Sequence, residues 1–269
     1  MKTADPEFMR AINRYHILDV IRRHGPIARV EIAERTELSP ASVSAITAML
    51  IEEGLVDVRH VGTGAEGSAR GRPRVLLGLN GGAHHVVGVK LAPHRISIAV
   101  TDARGEALAA IVLPLRLDRQ APEVVADLVE DGVRRCVADV GLGMEQVSGI
   151  GVGLPGLIDG VAGVSHWSPV LGPGPQPFAA AMERRLGRPL LLENDANLVA
   201  LAEHWFGLGR DLSSFAVVTV ENTVGLGIIV DGRLYRGARG VAPALVHLTV
   251  DAGPGPCRCR RRAGLDTVA

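Results

Sequence analysis

The chain has 269 residues, more than one typical domain, which predicts two or three structural units. It is 47% hydrophobic but only 3% aromatic, so its core has to be built from Ala, Val, Leu and Ile. Together with 33 glycines, this composition favours an α/β architecture over an aromatic-rich sandwich. The formal net charge of zero excludes a strongly basic protein, so any affinity for nucleic acid has to come from local patches.

The lack of recognisable targeting signals and the few cysteines predict a cytoplasmic protein. No apolar run approaches membrane-spanning length, and no signal-peptide pattern opens the chain. Three cysteines, two of them in Cys257-Arg258-Cys259, give no disulfide framework and favour a reducing compartment. The first eight residues, MKTADPEF, are typical of a cloning scar before a natural start at Met9, and we exclude them from the fold prediction.

Residues 9–80 predict a small helical domain that ends in a β-hairpin. Gly25-Pro26 ends its first helix, and Ser39 and Pro40 are a good N-cap and a good first residue for its third. That third helix buries its apolar residues and stops at Gly54. The predicted elements, in chain order, are helices at 11–24, about 29–36 and from Pro40 to Gly54, and strands at 55–58 and about 75–79.

Three helices with a tight turn before the third, followed by a hairpin, are the outline of a winged helix-turn-helix. The third helix has an outer face of Ser42, Ala45 and Thr47, slim enough to enter a major groove. The wing tip, SARGRPR, carries arginines that suit the electronegative minor groove. The predicted DNA-binding residues are Ser39, Ser42, Ser44, Thr47, Arg70, Arg72 and Arg74. The alternative is a helical interaction module whose Ser/Thr face is simply solvated.

Residues 81–269 predict an α/β domain with Gly-rich turns. The predicted elements, in chain order, are strands at 85–91, 96–101 and 107–113, a helix at about 122–140, a strand within 147–159, a helix near 178–186, a strand at 190–192, a helix from ENDAN onward and a hairpin within 215–240. The hairpin turn is placed at Asp231-Gly232. This order of strands and helices resembles the ribonuclease-H-like core of the actin-type sugar kinases.

Four stretches carry a more specific resemblance: GVGLPGLID, ENDAN, DGRLYRGARG, and HLTVD followed by CRC. With the winged helix in front, they resemble the ROK family (repressors, open reading frames and kinases), in its transcriptional-regulator branch. The resemblance implies a winged helix-turn-helix followed by a ribonuclease-H-like, actin-like domain of the sugar-kinase type. It also implies a further, largely helical segment after this point, so we expect a shortened chain with an incomplete second lobe.

The resemblance implies that the phosphate-binding loops of the kinases are lost. The kinases have an Asp and a Gly-rich turn on the first strand, because bare backbone N–H groups approach phosphate closely. Here Lys90 replaces the Asp, and Pro93 removes an N–H donor. The second loop reads Glu221-Asn222-Thr223 instead of Gly-Thr-Gly, which puts a negative charge beside a polyphosphate. We therefore expect no ATP-dependent phosphoryl transfer, and we expect Lys90 to be solvated.

The sugar site is kept only in part. By the resemblance, Asp195 stands at the position of the kinase general base, and with Asn194 it could hydrogen-bond a polyol. Asp195 would equally serve as the N-cap of the helix that follows, and the two roles are compatible. The predicted ligand-binding residues are Asn194, Asp195 and His247. Other family sugar contacts are replaced, by Val170, Pro243-Ala244 and Asp266.

Zinc is the one cofactor that the resemblance implies. Regulators of the family bind a structural zinc with a His and three Cys from C-x-C-G-x-x-G-C. Here His247, Cys257 and Cys259 are candidate ligands, but Gly264 occupies the place of the third Cys. A structural zinc site normally has four protein ligands, so water or another ligand would have to complete the shell. The alternative is two ordinary thiols in a basic loop.

These residues predict a sequence-specific DNA-binding regulator of the repressor type, and not an enzyme. Its partners would be double-stranded operator DNA and a second copy of the chain, because a homodimer reads two half-sites. Its second domain would sense a sugar or a related small molecule. One alternative is a glucokinase-like ROK kinase with an appended N-terminal module, against which Lys90, Glu221 and Thr223 argue. Another is a shortened, ligand-blind member that only binds DNA or dimerises.

Overall fold

The computed structural model describes residues 6–60, 75–221 and 223–237, which form two compact units. The first unit comprises Met1–His84 and Asp102–Glu106, and the second comprises His85–Thr101 and Ala107–Ala269. Within the described ranges, no helix has both the length and the apolar character that crossing a membrane requires.

The first unit contains three helices and a three-stranded sheet. Its elements are α1 (Pro6–His24), β1 (Ile27–Ala28), α2 (Arg29–Thr36), α3 (Pro40–Glu52), β2 (Val56–His60) and β3 (Val75–Leu79). The strands lie in the order β1-β3-β2, and β3 is antiparallel to both neighbours. The predicted winged helix-turn-helix is confirmed. Strand β1 was not predicted, because two residues are too few to show an alternating pattern.

Helix α1 begins earlier than the sequence analysis allowed. It starts at Pro6, inside the eight residues that were excluded as a cloning scar, and it continues through Met9. Proline is well tolerated at the first helical position, and Glu7 in the first turn interacts favourably with the helix dipole. The predicted start of this helix at residue 11 was therefore too late.

The core of the first unit is aliphatic and uses one face of each helix. Ile17 and Ile21 of α1, Ile32 of α2, and Val43 and Leu50 of α3 are each at most 1% exposed. On α3 the buried residues recur at helical spacing, so one stripe of the helix packs inward. The opposite face of α3 is left outside the core.

The second unit continues the chain with mixed sheets and helices. Its elements are β4 (His85–Ala92), β5 (Arg95–Asp102), β6 (Ala107–Pro114), α4 (Pro122–Asp139), β7 (Val147–Leu154), β8 (Leu157–Asp159), β9 (Val164–Ser168), β10 (Gly172–Gln176), α5 (Phe178–Leu186), β11 (Leu190–Asn194), α6 (Asp195–Phe206), β12 (Phe215–Val220), β13 (Val224–Val230) and β14 (Arg233–Leu234). Short 3-10 turns at Gly81–Ala83 and Met144–Gln146 precede β4 and β7.

Five strands form the central sheet of this unit, in the order β11-β7-β4-β5-β6. Strand β7 is parallel to both β4 and β11, and β5 is antiparallel to β6. Read from the β6 edge and counted along the chain, the strands are third, second, first, fourth and fifth, which is the ribonuclease-H-like arrangement that the sequence resembles. Helices α4 and α5 contribute to one aliphatic core with these strands. The predicted α/β fold class is confirmed.

Two smaller sheets flank this core. The β10-β9-β8 sheet was not predicted, because GPGPQ in β10 lacks any strand pattern. The β12-β13-β14 sheet contains the predicted hairpin, extended by one strand. Asp231 and Gly232 join β13 to β14 with φ angles of 47° and 71°, as a tight turn of this kind requires. The predicted turn is therefore confirmed, although a second turn near Glu221 joins β12 to β13.

Candidate functional site

The start of α3 is organised by Ser39. Its side chain accepts a hydrogen bond from the backbone N–H of Ser42 at 3.1 Å, and Pro40 opens the helix. The hydroxyls of Ser39 and Ser42 also lie 2.9 Å apart, within hydrogen-bond distance. The predicted N-cap is confirmed, and it orients the first turn of the helix.

The outer face of α3 is small and uncharged from its start to Ala48, whereas Met49 and Glu52 are exposed in its last turn. Ser44, Ala45 and Ala48 are exposed, and Ser42 is half-buried. The first turn has no acidic residue and the last turn has no basic one. Short side chains on this face would let the backbone of α3 approach a groove of duplex DNA closely.

Thr47 does not lie on this outer face, and its predicted place there was wrong. It is 0% exposed, because it follows Val43 by one helical turn and so shares the inward stripe. Its hydroxyl donates to the carbonyl of Val43 at 2.8 Å and accepts from the Nε–H of Arg29 at 2.9 Å. Thr47 therefore acts inside the unit and cannot contact a base directly.

Several predicted site residues lie outside the described part of the chain. These are Arg70, Arg72 and Arg74 of the wing, and His247, Cys257 and Cys259 of the zinc and ligand predictions. Their assignments stay predictions. Among the residues that the structure describes, no cluster of His, Cys, Asp and Glu is arranged to bind a metal ion.

The ENDAN motif lies where β11 passes directly into α6. Asn194 is the N-cap of α6, since its side-chain oxygen accepts from the N–H groups of Ala196 at 3.0 Å and Asn197 at 3.3 Å. Its amide nitrogen donates to the carbonyl of Gly156 at 3.1 Å. The alternative that made Asp195 the N-cap was wrong, because Asp195 is already the first helical residue. Asn194 therefore positions Asp195 at the edge of the sheet.

Asp195 faces a small cavity of about 40 Å³ in the second unit. The cavity is lined by Ala92, Pro93, Pro155, Pro169, Asp195, Thr219, Glu221, Thr223 and Gly225. Burial raises the pKa of the Asp195 carboxyl, and the charge of Glu221 adds to this. Lys90 and the N–H of Ala196 oppose the rise without cancelling it. The cavity is thus lined by two carboxyl groups, those of Asp195 and Glu221.

Lys90 and Glu221 form an ion pair beside this cavity. The Lys90 Nζ donates to Glu221 Oε1 at 2.5 Å, and the two side chains are 32% and 41% exposed. Lys90 lies on β4 and Glu221 in the turn between β12 and β13, so the pair joins the two places that the sequence resemblance predicted as counterparts of the kinase phosphate loops. The expectation of a solvated Lys90 was wrong, because Glu221 is within reach of its ammonium group.

Glu193 was missed by the sequence analysis. Its carboxylate is buried and accepts from the N–H of Asn194 at 2.8 Å, the Nδ2 of Asn197 at 2.9 Å and the Nε of Arg236 at 2.7 Å. A buried carboxylate needs such partners to offset its lost hydration. Glu193 thereby ties the start of α6 to the segment after β14. The signal was the acidic residue inside an otherwise buried strand.

Glycines allow α6 to lie directly against β13. A Cβ on Gly227 would lie 2.5 Å from the carbonyl oxygen of Ala196 and 2.6 Å from Ala200 Cβ. A Cβ on Gly225 would lie 2.7 Å from Ala196 Cβ. This close packing sets the spacing between Asp195, at the start of α6, and the turn that carries Glu221.

Comparison with families of known proteins decides the identity of both units. The model of the ROK family matches residues 86–269, and the model of the winged helix-turn-helix DNA-binding family matches residues 10–57. The chain belongs to the ROK family. The second unit is therefore called the ROK domain below, and the predicted family is confirmed.

Curated relatives of this ROK protein include transcriptional regulators. The DNA-binding transcriptional dual regulator NagC of Escherichia coli (strain K12) is 29% identical over 269 residues, which cover 98% of this chain and 63% of NagC. The xylose repressor of Bacillus subtilis (strain 168) is 28% identical over 269 residues, covering 97% of this chain and 66% of the repressor. The chain thus spans just under two thirds of the length of these relatives.

Solved structures similar to this ROK protein include a regulator and a kinase. A ROK family transcriptional regulator, described as a homolog of the E. coli MLC protein, matches with a TM-score of 0.76 and 27% identity, over 97% of this chain and 65% of that one. A ROK family glucokinase from Streptomyces griseus, in complex with glucose and AMPPNP, matches with a TM-score of 0.62 and 26% identity, over 69% of this chain and 57% of that one.

Proposed function

We propose that this chain is a DNA-binding transcriptional regulator of the repressor type, acting on double-stranded operator DNA in the cytoplasm. The observation that carries the proposal is the slim, uncharged outer face of the first turns of α3, in a unit that matches the winged helix-turn-helix family. The names of NagC and of the xylose repressor, both aligned along nearly the whole chain, support it. The predicted wing arginines, Arg70, Arg72 and Arg74, would add the phosphate and minor-groove contacts.

The ROK domain, in this proposal, is not a kinase. Phosphoryl transfer depends on positioning a polyphosphate and stabilising its charge. Here the ammonium of Lys90 is already engaged by Glu221, and Glu221 would face the incoming phosphates with its own negative charge. Pro93, which lines the same cavity, has no N–H to donate. These features oppose nucleotide binding at the place where the related kinases hold it.

The ROK domain would instead sense a sugar or a related polyol. Asp195 lies at a cavity and retains free acceptor capacity, while Asn194 is committed to capping α6. Asp195 is therefore the described residue best placed to hydrogen-bond a hydroxyl-rich ligand. A homodimer would place two winged helices on two half-sites, which supplies the specificity that one α3 lacks.

Electrophoretic mobility shifts with DNA from upstream of its own gene test the regulatory proposal. We expect a specific complex whose affinity falls with salt, and we expect a candidate sugar to change that affinity. Replacing Arg70, Arg72 and Arg74 with Gln should weaken DNA binding. The slope of the logarithm of the binding constant against the logarithm of the salt concentration should become shallower by about 0.9 for each phosphate contact removed. Absence of a specific shift from 50 to 200 mM salt, a range of about fourfold in which phosphate contacts dominate, would count against the proposal.

A matched variant controls for net charge. Replacing Arg135, Arg184 and Arg188 of the ROK domain with Gln removes the same formal charge from a different surface. This variant should bind DNA like the unmodified chain. If it loses as much affinity as the wing variant, the effect comes from overall charge and not from the wing.

A sugar kinase remains the competing function, and the similarity to the Streptomyces griseus glucokinase favours it. A coupled assay of ADP release with glucose or N-acetylglucosamine decides between the two. We expect no sugar-dependent ADP release. Turnover that Asp195→Asn abolishes would establish the kinase instead, because that residue matches the general base of the related enzymes.

A further inference from the structure

We propose that Arg29 binds a backbone phosphate of duplex DNA, and that the buried hydroxyl of Thr47 holds its guanidinium in place. Neither residue was assigned this role by sequence. This inference rests on the proposed DNA-binding function, and adds to it a contact made from α2 and not from α3 or the wing.

The hydrogen bond fixes one end of the guanidinium. Nε of Arg29 donates to Thr47 Oγ1 at 2.9 Å, between the first residue of α2 and the middle of α3. Thr47 Oγ1 uses its own proton on the carbonyl of Val43, at 2.8 Å, so its lone pairs are left to accept. With Nε engaged, the two terminal nitrogens of Arg29 still offer an end-on fork of N–H donors, and Arg29 is half-buried.

The positive charge of Arg29 is not neutralised within the described part of the chain. Several other arginines of the first unit are paired there with carboxylates: Arg14 with Glu53, Arg22 and Arg23 with Asp19, and Arg59 with Asp57. Arg35 lies 3.5 Å from a ring nitrogen of His24. Arg29 instead bonds to an uncharged hydroxyl. A guanidinium that is held by a neutral group keeps its charge available, and its fork matches the oxygens of a phosphate.

The burial of Thr47 indicates a structural role for its hydroxyl. The position is 0% exposed between Val43 and Leu50, where a valine would fill the same space without a polar atom. A buried hydroxyl lowers stability unless it is hydrogen-bonded. Here the hydroxyl is used twice, and one of its partners is a charged side chain from a different helix.

Arg29 also lies where the expected DNA-binding elements meet. It follows β1 directly, and β1 pairs with β3 of the wing through Ile27 with Leu77 and Ala28 with Leu76. Its hydrogen bond joins it to α3. A phosphate bound by Arg29 would therefore fix the register of α3 relative to the DNA backbone, which is the positioning role of phosphate contacts.

The test measures binding of the whole chain to a labelled duplex of mixed sequence, about 30 base pairs long, at several salt concentrations. A phosphate contact is independent of sequence, so no operator is needed. Arg29→Gln should weaken DNA binding about tenfold. It should also make the slope of the logarithm of the binding constant against the logarithm of the salt concentration shallower by about 0.9. Arg14→Gln is the matched control, because Arg14 is bonded to Glu53 at the end of α3 and already neutralised. It should leave both quantities unchanged.

Thr47→Val and Thr47→Ser separate positioning from packing. In the otherwise unmodified chain, Thr47→Val should weaken DNA binding. In a chain that already carries Arg29→Gln, Thr47→Val should cause no further loss of DNA affinity. Thr47→Ser, which keeps the hydroxyl, should bind DNA like the unmodified chain. Circular dichroism melting of each variant confirms that it is folded. Equal binding by Arg29→Gln and the unmodified chain overturns the phosphate contact, and full affinity of Thr47→Val overturns the positioning role. Absence of duplex binding by the unmodified chain overturns the proposed function itself.

Discussion

Lys90 and Glu221 are 131 residues apart in sequence, and Lys90 Nζ lies 2.5 Å from Glu221 Oε1. The pair joins β4 of the central sheet to the turn between β12 and β13. By the resemblance to the ROK kinases, these are the two places expected to bind nucleotide phosphates. Each substitution alone would disfavour phosphate, but together they also neutralise each other. The ion pair therefore balances the charges at both places.

The first prediction concerns the strength of this pair. Because the two side chains are 32% and 41% exposed, we expect a coupling of only about 0.2–1 kcal/mol between Lys90→Ala and Glu221→Ala in a double-mutant cycle. Urea unfolding of the two single variants and the double variant measures it. The coupling should shrink in high salt, because water screens exposed charges.

The exchanged variant, Lys90→Glu with Glu221→Lys, is the control for this prediction. It should recover most of the coupling, since it restores opposite charges at the same distance. A coupling of zero at low salt, or one that the exchange does not recover, would show that the contact contributes nothing in solution.

The second prediction concerns Asp195 and pH. Since burial raises the pKa of this carboxyl, the folded state holds its proton more tightly than the unfolded state does. The stability from this group is therefore present below the usual pKa of aspartate, and it is lost as the pH rises through that value toward the raised one. We expect Asp195→Asn to be more stable than the unmodified chain at neutral pH, with the difference vanishing in acid.

Thermal or urea unfolding across this pH range measures the effect. Asp211→Asn, at an exposed position of the same unit, is the matched control and should show no such trend. If Asp195→Asn is less stable than the unmodified chain at neutral pH, the carboxylate contributes favourably as an ion, and the stated direction is wrong.

The third prediction concerns the packing of α6 on β13. A Cβ at Gly227 would meet the carbonyl oxygen of Ala196 at 2.5 Å, and backbone cannot move aside cheaply. We expect Gly227→Ala to lower the free energy of unfolding by about 1–3 kcal/mol. Gly88→Ala in β4 is the comparison, because nothing lies within 4 Å of a Cβ there. It should be close to neutral, and equal losses at both positions would contradict the packing argument.

Local patterns in the sequence were sufficient for most of the fold. Capping by Ser39, the turn at Asp231-Gly232 and the helical spacing of Val43 and Leu50 are short-range signals, and the structure bears them out. The missed strands β1 and β10 are short or rich in Gly and Pro, so their pairing depends on neighbours that are distant in sequence. Local propensity carries no information about such neighbours.

Residues alone determined the family and the two kinds of unit, because motifs and hydrophobic periodicity can be recognised in consecutive positions. Only the tertiary structure decided that Thr47 turns inward to hold Arg29, that Asn194 and not Asp195 caps α6, and that Lys90 finds Glu221. These outcomes depend on which side chains meet after the chain has folded. The chemistry of a hydroxyl or an ammonium group can be read from the sequence, but the group that it bonds to is set by the folded structure.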